Sequence, residues 1–428
     1  MQNNLDALDI YERRLLKAAS NLPVRRPWVA AERADIIAVA ANCLGIREAW
    51  IPHIQAELVG ETAGAGINVQ YLRFVSWPRC FGAAHLYLPR VKTGSPLPLV
   101  ILCCGHGAGC KRAPGYQAMA WRLAQMGSAV LVADNIGQGE RVAMGHADAV
   151  GPFQVGLSVQ GLIVMESMAW LRWIRQDGRF DVKRIAAIGN SGGGNLTLFL
   201  GAFCRNELAV LSSSGHPSTF EFIARKEKKL CNCTILPGIV GQLEMWQLYS
   251  CFAPKPLFLF QGSGDALFPA DLFYATCRKV KNAYRHAQAT DKLTAEIFSG
   301  GHSWDRERHA ALGEFLRRNM GLSNSKIVSF KAKGLQPPGN CFRQWPKEAL
   351  STDQLALQIT GKRIQTRRHL WEVFIPVPAP HSKTEFPLRR VAPRQVCAQF
   401  ESFLTRRVKA YRAQAKQDFQ SRKKQEKT

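Results

Sequence analysis

The segment that most constrains this chain is residues 189–194, which read Gly-Asn-Ser-Gly-Gly-Gly. It follows an apolar run at 184–188 that is typical of a buried strand, and it precedes a helical pattern at 195–203. A strand, a sharp glycine-rich turn with serine at its tip, and a helix form the G-x-S-x-G elbow pattern, whose glycines tolerate strained backbone and close approach. The pattern predicts that Ser191 is an accessible nucleophile and that the N–H of Gly192 faces a developing oxyanion.

Short apolar runs alternate with helical patterns through the middle of the chain. Two alternating runs at 69–74 and 83–89 predict an antiparallel pair. Further strands are predicted at 99–104, 129–134, 208–212, 256–261 and 293–298. This order predicts an α/β fold with a mostly parallel central sheet flanked by helices. Catalytic residues should then follow the carboxyl ends of the strands.

Three residues with the chemistry of a catalytic triad follow predicted strands. Ser191 comes first, Asp265 follows the strand that ends at residue 261, and His302 follows the strand that ends at residue 298. A serine hydroxyl is a weak nucleophile until a base removes its proton. We therefore expect His302 to act as general base and acid, and Asp265 to fix its tautomer and stabilise the imidazolium. Each residue alone could be a loop residue, but the shared order Ser-Asp-His makes that interpretation weak.

The loop at 104–108, Cys-Gly-His-Gly-Ala, follows the predicted central strand. A second oxyanion donor belongs in such a loop, and we expect it to be the N–H of Ala108, with Gly107 as the alternative. We predict that His106 holds this loop rather than performing chemistry, and that His106 and Gly107 line the substrate site.

Together with the segments DNIGQGER at 134–141, APKPLFLFQGSGD at 253–265 and GGH at 300–302, these motifs resemble those of the acetyl-xylan-esterase-like group of α/β-hydrolases. That group is related to the dienelactone hydrolases, which use cysteine where this chain has Ser191. The resemblance spans about residues 70–318 and implies a Ser191, His302, Asp265 esterase. Asp134, at a strand end, could contact substrate, but Asp134, Glu140 and Arg141 are expected to tie their own loop together by ion pairs and hydrogen bonds.

The chain is predicted to contain three regions. Residues 1–58 have helical patterns and are expected to form an N-terminal cap. Residues 59–322 form the catalytic domain, with a lid at about 217–250 where no clean periodicity is visible. Residues 323–428 form a basic extension, within which runs at 355–359 and 370–375 suggest a small β unit.

The positive charge is concentrated in the last quarter. The whole chain carries a net charge of +25, and residues 321–428 contain 22 Lys and Arg against 7 Asp and Glu. A basic helix predicted at 394–428 could add weak polyanion affinity, although a solvated tail has the same pattern. No nucleic-acid-binding motif accompanies it.

The twelve cysteines are scattered, which favours buried free thiols over a disulfide framework. Cys231 and Cys233 form a C-x-C pair without a second ligand pair at metal spacing, so neither a metal nor another cofactor is predicted. The polar N-terminus and the absence of an apolar run of about 20 residues predict a cytoplasmic protein without a membrane span. The sequence does not indicate an oligomeric state.

The leading interpretation is a serine esterase that acts on a small-molecule ester, such as an acylated carbohydrate, without metal or organic cofactor. A serine peptidase of the prolyl-oligopeptidase type shares the fold and triad, but this chain lacks room for that family's propeller domain. A non-catalytic polyanion-binding protein on the same scaffold is the third hypothesis, and the intact triad argues against it.

Overall fold

The computed structural model describes residues 19–20, 22–64, 66–90, 94–107, 109–147, 149, 151–225, 231–323 and 338–362. Within these residues, nine strands form one sheet in the order β1-β2-β3-β5-β4-β6-β7-β8-β9. The strands are β1 Gln55–Gly64, β2 Ile67–Val75, β3 Phe81–Pro89, β4 Leu97–Cys103, β5 Ala129–Ala133, β6 Phe180–Asn190, β7 Val210–Ser214, β8 Leu257–Gly262 and β9 Leu293–Phe298.

The sheet is antiparallel at one side and parallel across the rest. Strands β1, β2, β3 and β5 pair antiparallel in succession. All pairs from β5–β4 to β8–β9 are parallel. The carboxyl ends of β4, β6, β7, β8 and β9 therefore meet at one edge, which confirms the predicted fold class and places the candidate catalytic residues on that edge.

The helices flank both faces of the sheet. The described helices are α1 Ala30–Leu44, α2 Pro114–Gln125, α3 Gly151–Gln154, α4 Val159–Gln176, α5 Gly192–Phe203, α6 Phe220–Arg225, α7 Met245–Ser250, α8 Ala270–His286, α9 Arg306–Met320 and α10 Thr352–Thr360. Helices α1, α4, α5 and α8 contribute to the hydrophobic core on one face, and α2 and α9 contribute to the core on the other. None of the helices in the described ranges combines the length and apolarity needed to cross a membrane.

Strand β4 shows why the sheet is covered on both sides. Leu99 and Ile101 pack into one core, whereas Val100 and Leu102 pack into the other. Side chains alternate between the two faces of a strand, so a continuous apolar run suits a strand that is buried on both. The apolar runs of the sequence thus correspond to the central parallel strands.

Two sequence-based expectations are wrong. The helical pattern expected through residue 58 ends earlier, because Gln55–Gly64 forms β1 and pairs antiparallel with β2. Residues 355–359, the first of the two runs expected to form the small β unit, lie in helix α10 instead. At the start of α10, the Ser351 hydroxyl accepts the N–H of Gln354 and the Gln354 side chain accepts the N–H of Ser351, which is a capping box. The other half, at 370–375, lies outside the described residues.

The loop after β5 is tied by buried ion pairs. Nζ of Lys111 lies 2.6 Å from Oδ2 of Asp134 and 2.5 Å from Oε1 of Glu140. Nη1 of Arg141 lies 2.6 Å from Oε2 of Glu166. Removing one partner of such a pair leaves an uncompensated charge and costs about 3–5 kcal/mol. The structural role predicted for Asp134, Glu140 and Arg141 is confirmed, with Lys111 and Glu166 as their partners.

Part of the predicted basic extension contacts the core. Glu140 accepts the backbone N–H groups of Cys341 and Phe342, at 3.0 and 2.8 Å. Leu355 and Ala356 are fully buried. None of the cysteines in the described ranges is part of a disulfide. The boundaries predicted at residues 58 and 323 remain predictions.

Candidate active site

Ser191 lies at the tip of the turn between β6 and α5. Its backbone has φ 59° and ψ −121°, a strained conformation for a residue with a side chain. The turn is held because the N–H of Ser191 donates to the carbonyl of Ser214 at 2.9 Å, and the Ser191 carbonyl accepts the N–H of Asn195 at 3.0 Å. This is the strand–turn–helix context that the elbow pattern requires. The backbone strain presents the Ser191 side chain at the carboxyl edge of the sheet.

Asp265 and His302 form a direct hydrogen-bonded pair. Nδ1 of His302 lies 2.7 Å from Oδ2 of Asp265, whose side chain is buried. A carboxylate oxygen accepts, so Nδ1 carries the proton and Nε2 keeps its lone pair. The other carboxylate oxygen accepts the N–H groups of Leu267 and Phe268 at 2.9 and 3.0 Å. Burial raises the pKa of Asp265, but the His302 hydrogen bond and the backbone N–H groups outweigh it and hold this pKa below its usual value.

Gly215 connects this pair with the elbow. It directly follows β7, whose Ser214 pairs with Asn190. A β-carbon placed on Gly215 would lie 2.9 Å from Cε1 of His302 and 2.7 Å from Oδ1 of Asn190. The residue before the nucleophile and the imidazole of His302 thus approach the same glycine. The structure brings the three candidate triad residues to one region of the sheet edge.

Arg308 holds the loop that carries His302, and no sequence pattern singled it out. Its side chain is buried on the first turn of α9, where Nη2 donates to the carbonyls of Ser299 and Gly301 at 2.9 and 3.3 Å. Nη1 donates to Oγ of Ser303 at 2.6 Å. These contacts hold the backbone before His302 and the side chain of the residue after it.

The loop after β4 lies against the elbow. A β-carbon on Gly105 would lie 3.0 Å from Cβ of Ser191. The N–H of Gly105 donates to the hydroxyl of Tyr116 at 2.5 Å, so it is not directed at a substrate. Gly107 is exposed, and its carbonyl accepts the N–H of Cys110 at 3.2 Å. Ala108, the preferred second oxyanion donor, lies outside the described residues, and its role remains a prediction.

Gly192, the other expected oxyanion donor, lies at the N-terminus of α5. Gly192 is the first residue of this helix, and the first N–H groups of a helix have no partner within it. His106 lies directly beside it, because a β-carbon on Gly192 would be 2.8 Å from both Cε1 and Nδ1 of His106. His106 also contacts His146 and Cys233 through Nε2, at 3.2 and 3.0 Å. It therefore links the loop after β4 to two other loops, as expected of a residue that holds this loop.

His216 is a buried histidine that sequence reasoning missed. It is fully buried and stacks edge-on against Phe268, which also lies against His302. Neither ring nitrogen has a hydrogen-bond partner within the described part of the chain. Burial, followed by repulsion from His302 and His106, lowers the pKa of His216 to about 3, so the ring is neutral near pH 7. A buried polar group without a partner costs free energy, which makes His216 a candidate contact for a bound ligand.

The fold of this chain occurs in solved structures of esterases. The methylesterase BT1017 superposes with a TM-score of 0.60 at 19% identity, covering 81% of this chain and 74% of that protein. A protein assigned as an acetyl xylan esterase from Bacteroides fragilis gives a TM-score of 0.57 at 15% identity, covering 69% and 82%. A glucuronoyl esterase from Teredinibacter turnerae gives 0.53 at 15% identity, covering 70% and 90%. No family model and no curated protein matches the sequence. The chain thus has the α/β-hydrolase fold that these three proteins share.

Proposed function

We propose that this protein is a carboxylic-ester hydrolase that forms an acyl-enzyme on Ser191. The observation that carries the proposal is the 2.7 Å hydrogen bond between Nδ1 of His302 and Oδ2 of Asp265, at the sheet edge where the strained elbow presents Ser191. A base oriented by a carboxylate and a serine at the same sheet edge are the components that acyl transfer requires. The fold shared with esterases is in agreement with this proposal but does not define the substrate.

The reaction follows from the protonation states at the site. Oγ of Ser191 attacks the ester carbonyl carbon while Nε2 of His302 takes the serine proton. The resulting oxyanion is stabilised by the N–H of Gly192 and the positive end of the α5 dipole, together with a donor from the loop after β4. The bond to the alcohol oxygen then breaks, and His302 returns the proton to that oxygen. Water repeats the sequence on the acyl-enzyme and restores Ser191.

Asp265 keeps the base in its working form. Its ionised carboxylate holds the proton on Nδ1 of His302 and stabilises the imidazolium that forms during each step. The low pKa of Asp265 keeps the carboxylate charged throughout the neutral range. Two backbone N–H groups fix its second oxygen, so the imidazole has one orientation.

For the substrate, we propose a small acyl ester, with an acylated carbohydrate as the preferred class. The motif resemblance and the acetyl xylan and glucuronoyl esterases of the same fold support this choice. His216 and the exposed Gly107 are the proposed contacts for the bound substrate, together with His106. The segment at 217–250 is proposed to shape the pocket, because it follows His216 and carries Cys233, which contacts His106.

A substrate panel with a matched variant tests the proposal. The full chain is assayed against short p-nitrophenyl esters, acetylated sugars, methyl esters of sugar acids, and peptides, beside Ser191→Ala. We expect turnover of esters and a loss of roughly 10⁴-fold or more in the variant, because nothing else forms the acyl-enzyme. Cleavage of peptides without esters would indicate the peptidase alternative. Equal activity of both proteins, or no turnover of any substrate, would contradict the proposal.

A further inference from the structure

Four potential metal ligands from three separate loops meet beside the elbow. They are His106 after β4, His146 after β5, and Cys231 and Cys233 in the segment at 217–250. Their ligand atoms all lie within 4.8 Å of one another. We refer to these four residues as the His-Cys cluster. The ester-hydrolysis mechanism gives no task to His146 or to either cysteine.

The orientation of His146 is that of a metal ligand. Its Nδ1 lies 2.7 Å from the carbonyl oxygen of Ile136, which can only accept, so Nδ1 carries the proton. Nε2 therefore carries the lone pair, and it lies 3.2 Å from Nε2 of His106. Metal-binding histidines characteristically donate their other ring N–H to a carbonyl in this way. The side-chain amide nitrogen of Gln138, 3.1 Å away, also contacts this lone pair.

The separations within the cluster are close to those of a tetrahedral zinc site. Zinc binds sulfur at about 2.3 Å and histidine nitrogen at about 2.0–2.1 Å, which sets ligand-to-ligand distances of about 3.3–3.8 Å. Nε2 of His106 lies 3.2 Å from Nε2 of His146 and 3.0 Å from Sγ of Cys233. Movements of a few tenths of an ångström would bring these two pairs to tetrahedral spacing.

Local hydrogen bonds hold the two cysteines of the cluster together. The N–H of Cys233 donates to Sγ of Cys231 at 3.5 Å, and the hydroxyl of Thr234 donates to the carbonyl of Cys231 at 2.7 Å. The thiolate is the form of cysteine that binds metals. Cys277, on α8, is not part of the cluster.

We propose that the His-Cys cluster binds one Zn²⁺ ion as a structural site. Two imidazoles and two thiolates are a donor set that zinc favours, and four protein ligands leave no open position for catalysis. The ion would fasten the loop of Gly107 and Ala108 to the loop after β5 and to the segment at 217–250. This replaces the sequence-based expectation of no metal. That expectation considered only the spacing of Cys231 and Cys233, whereas the other two ligands come from distant loops.

Metal content tests the proposal independently of esterase activity. The full chain is produced in zinc-supplemented medium, desalted and analysed by elemental mass spectrometry, beside Cys233→Ala, His146→Ala and the control Cys277→Ala. We expect about one zinc per chain in the wild type and in Cys277→Ala, and loss of most of it from the two cluster variants. A wild type without stoichiometric zinc, or cluster variants that retain it, would overturn the proposal.

If a cluster variant fails to fold, cobalt substitution of the wild type tests for the metal site instead. Co²⁺ bound by two thiolates and two imidazoles gives intense tetrahedral visible bands and a thiolate charge-transfer band, and we expect both. Their absence would contradict the site. An intact mass that reveals a disulfide between Cys231 and Cys233 in freshly purified protein would also contradict it.

Discussion

At the scale of residues, the proposed chemistry depends on the Asp265–His302 pair. Replacing Asp265 with Asn removes the negative charge, so the side chain no longer holds the proton on Nδ1 of His302. We predict that kcat for an activated ester falls roughly 10³–10⁴-fold. The circular dichroism spectrum should be unchanged. The matched control is Asp271→Asn, an exposed carboxyl on α8. Wild-type turnover by Asp265→Asn would remove Asp265 from the mechanism.

Gly215 offers a test of how closely His302 must be placed. An alanine β-carbon there would lie 2.9 Å from Cε1 of His302, well inside carbon–carbon contact distance. Gly215 also has φ +55°, so part of the effect of alanine is backbone strain of about 1–2 kcal/mol. Gly66→Ala is the control, because Gly66 has φ +76° and open space around its β-position.

We predict that both glycine variants lower the melting temperature, but that only Gly215→Ala lowers kcat, by at least about tenfold. Steady-state kinetics on one ester decide the outcome. Equal loss of activity in the two variants would mean that strain alone is responsible and that Gly215 does not position His302.

The residues divide into those that a sequence pattern can reveal and those it cannot. Ser191, Asp265 and His302 could be predicted because each follows a strand and their order matches a known arrangement. Arg308 and His216 could not, because their roles depend on burial and on carbonyls or rings contributed by distant loops. The His-Cys cluster likewise joins residues that are up to 127 positions apart in the chain.

At the scale of elements, α7 begins at the half-buried carboxyl of Glu244. Glu244 caps this helix and accepts the N–H of Phe220 at 2.9 Å. Burial raises the pKa of Glu244 to about 7, compared with 4.5 for an unperturbed side chain. The folded protein therefore binds this proton more tightly than the unfolded chain does. The contribution of Glu244 to stability falls as the pH rises from about 4.5 to about 7 and is constant above that.

We predict that Glu244→Gln removes this dependence, because glutamine can cap α7 without ionising. The free energy of unfolding is measured in urea at pH 5 and at pH 8. Relative to wild type, the variant should gain on the order of 3 kcal/mol of stability between pH 5 and pH 8. Glu296→Gln, at an exposed carboxyl of β9, serves as the control. Parallel pH dependences for Glu244→Gln and wild type would show that Glu244 does not titrate in this range.

The elements that sequence reasoning predicted correctly are the apolar ones. Strands β4, β5 and β8 are continuous apolar runs, and burial against two cores makes such runs recognisable. Strand β1 was missed because it is a polar edge strand, paired only with β2 among the described strands. Helix α10 was misread because a short apolar run fits either a strand or a helix, although Ser351 and Gln354 carried the capping signal.

At the scale of the whole molecule, positive charge and proposed catalysis occupy different parts of the chain. The three proposed catalytic residues precede residue 303, whereas the basic quarter begins near residue 321. We predict that truncation before Arg394 leaves turnover of a small neutral ester within a few-fold of the full chain. Retention on heparin should fall, and the lost part should be the salt-sensitive one, because exposed charges are screened within about 8–10 Å at physiological ionic strength. Unchanged heparin retention with a lower melting temperature would instead make residues 394–428 part of the fold.

The identity of the nucleophile is the claim on which the proposed function depends most. The most direct measurement is to treat the full chain with a fluorophosphonate, which phosphonylates an activated serine, and to locate the label by peptide mass spectrometry. We predict stoichiometric labelling of Ser191, and its loss in both Ser191→Ala and His302→Ala, because the hydroxyl reacts only when the imidazole removes its proton. Stoichiometric labelling of a different residue, or no labelling of a folded protein, would contradict the account.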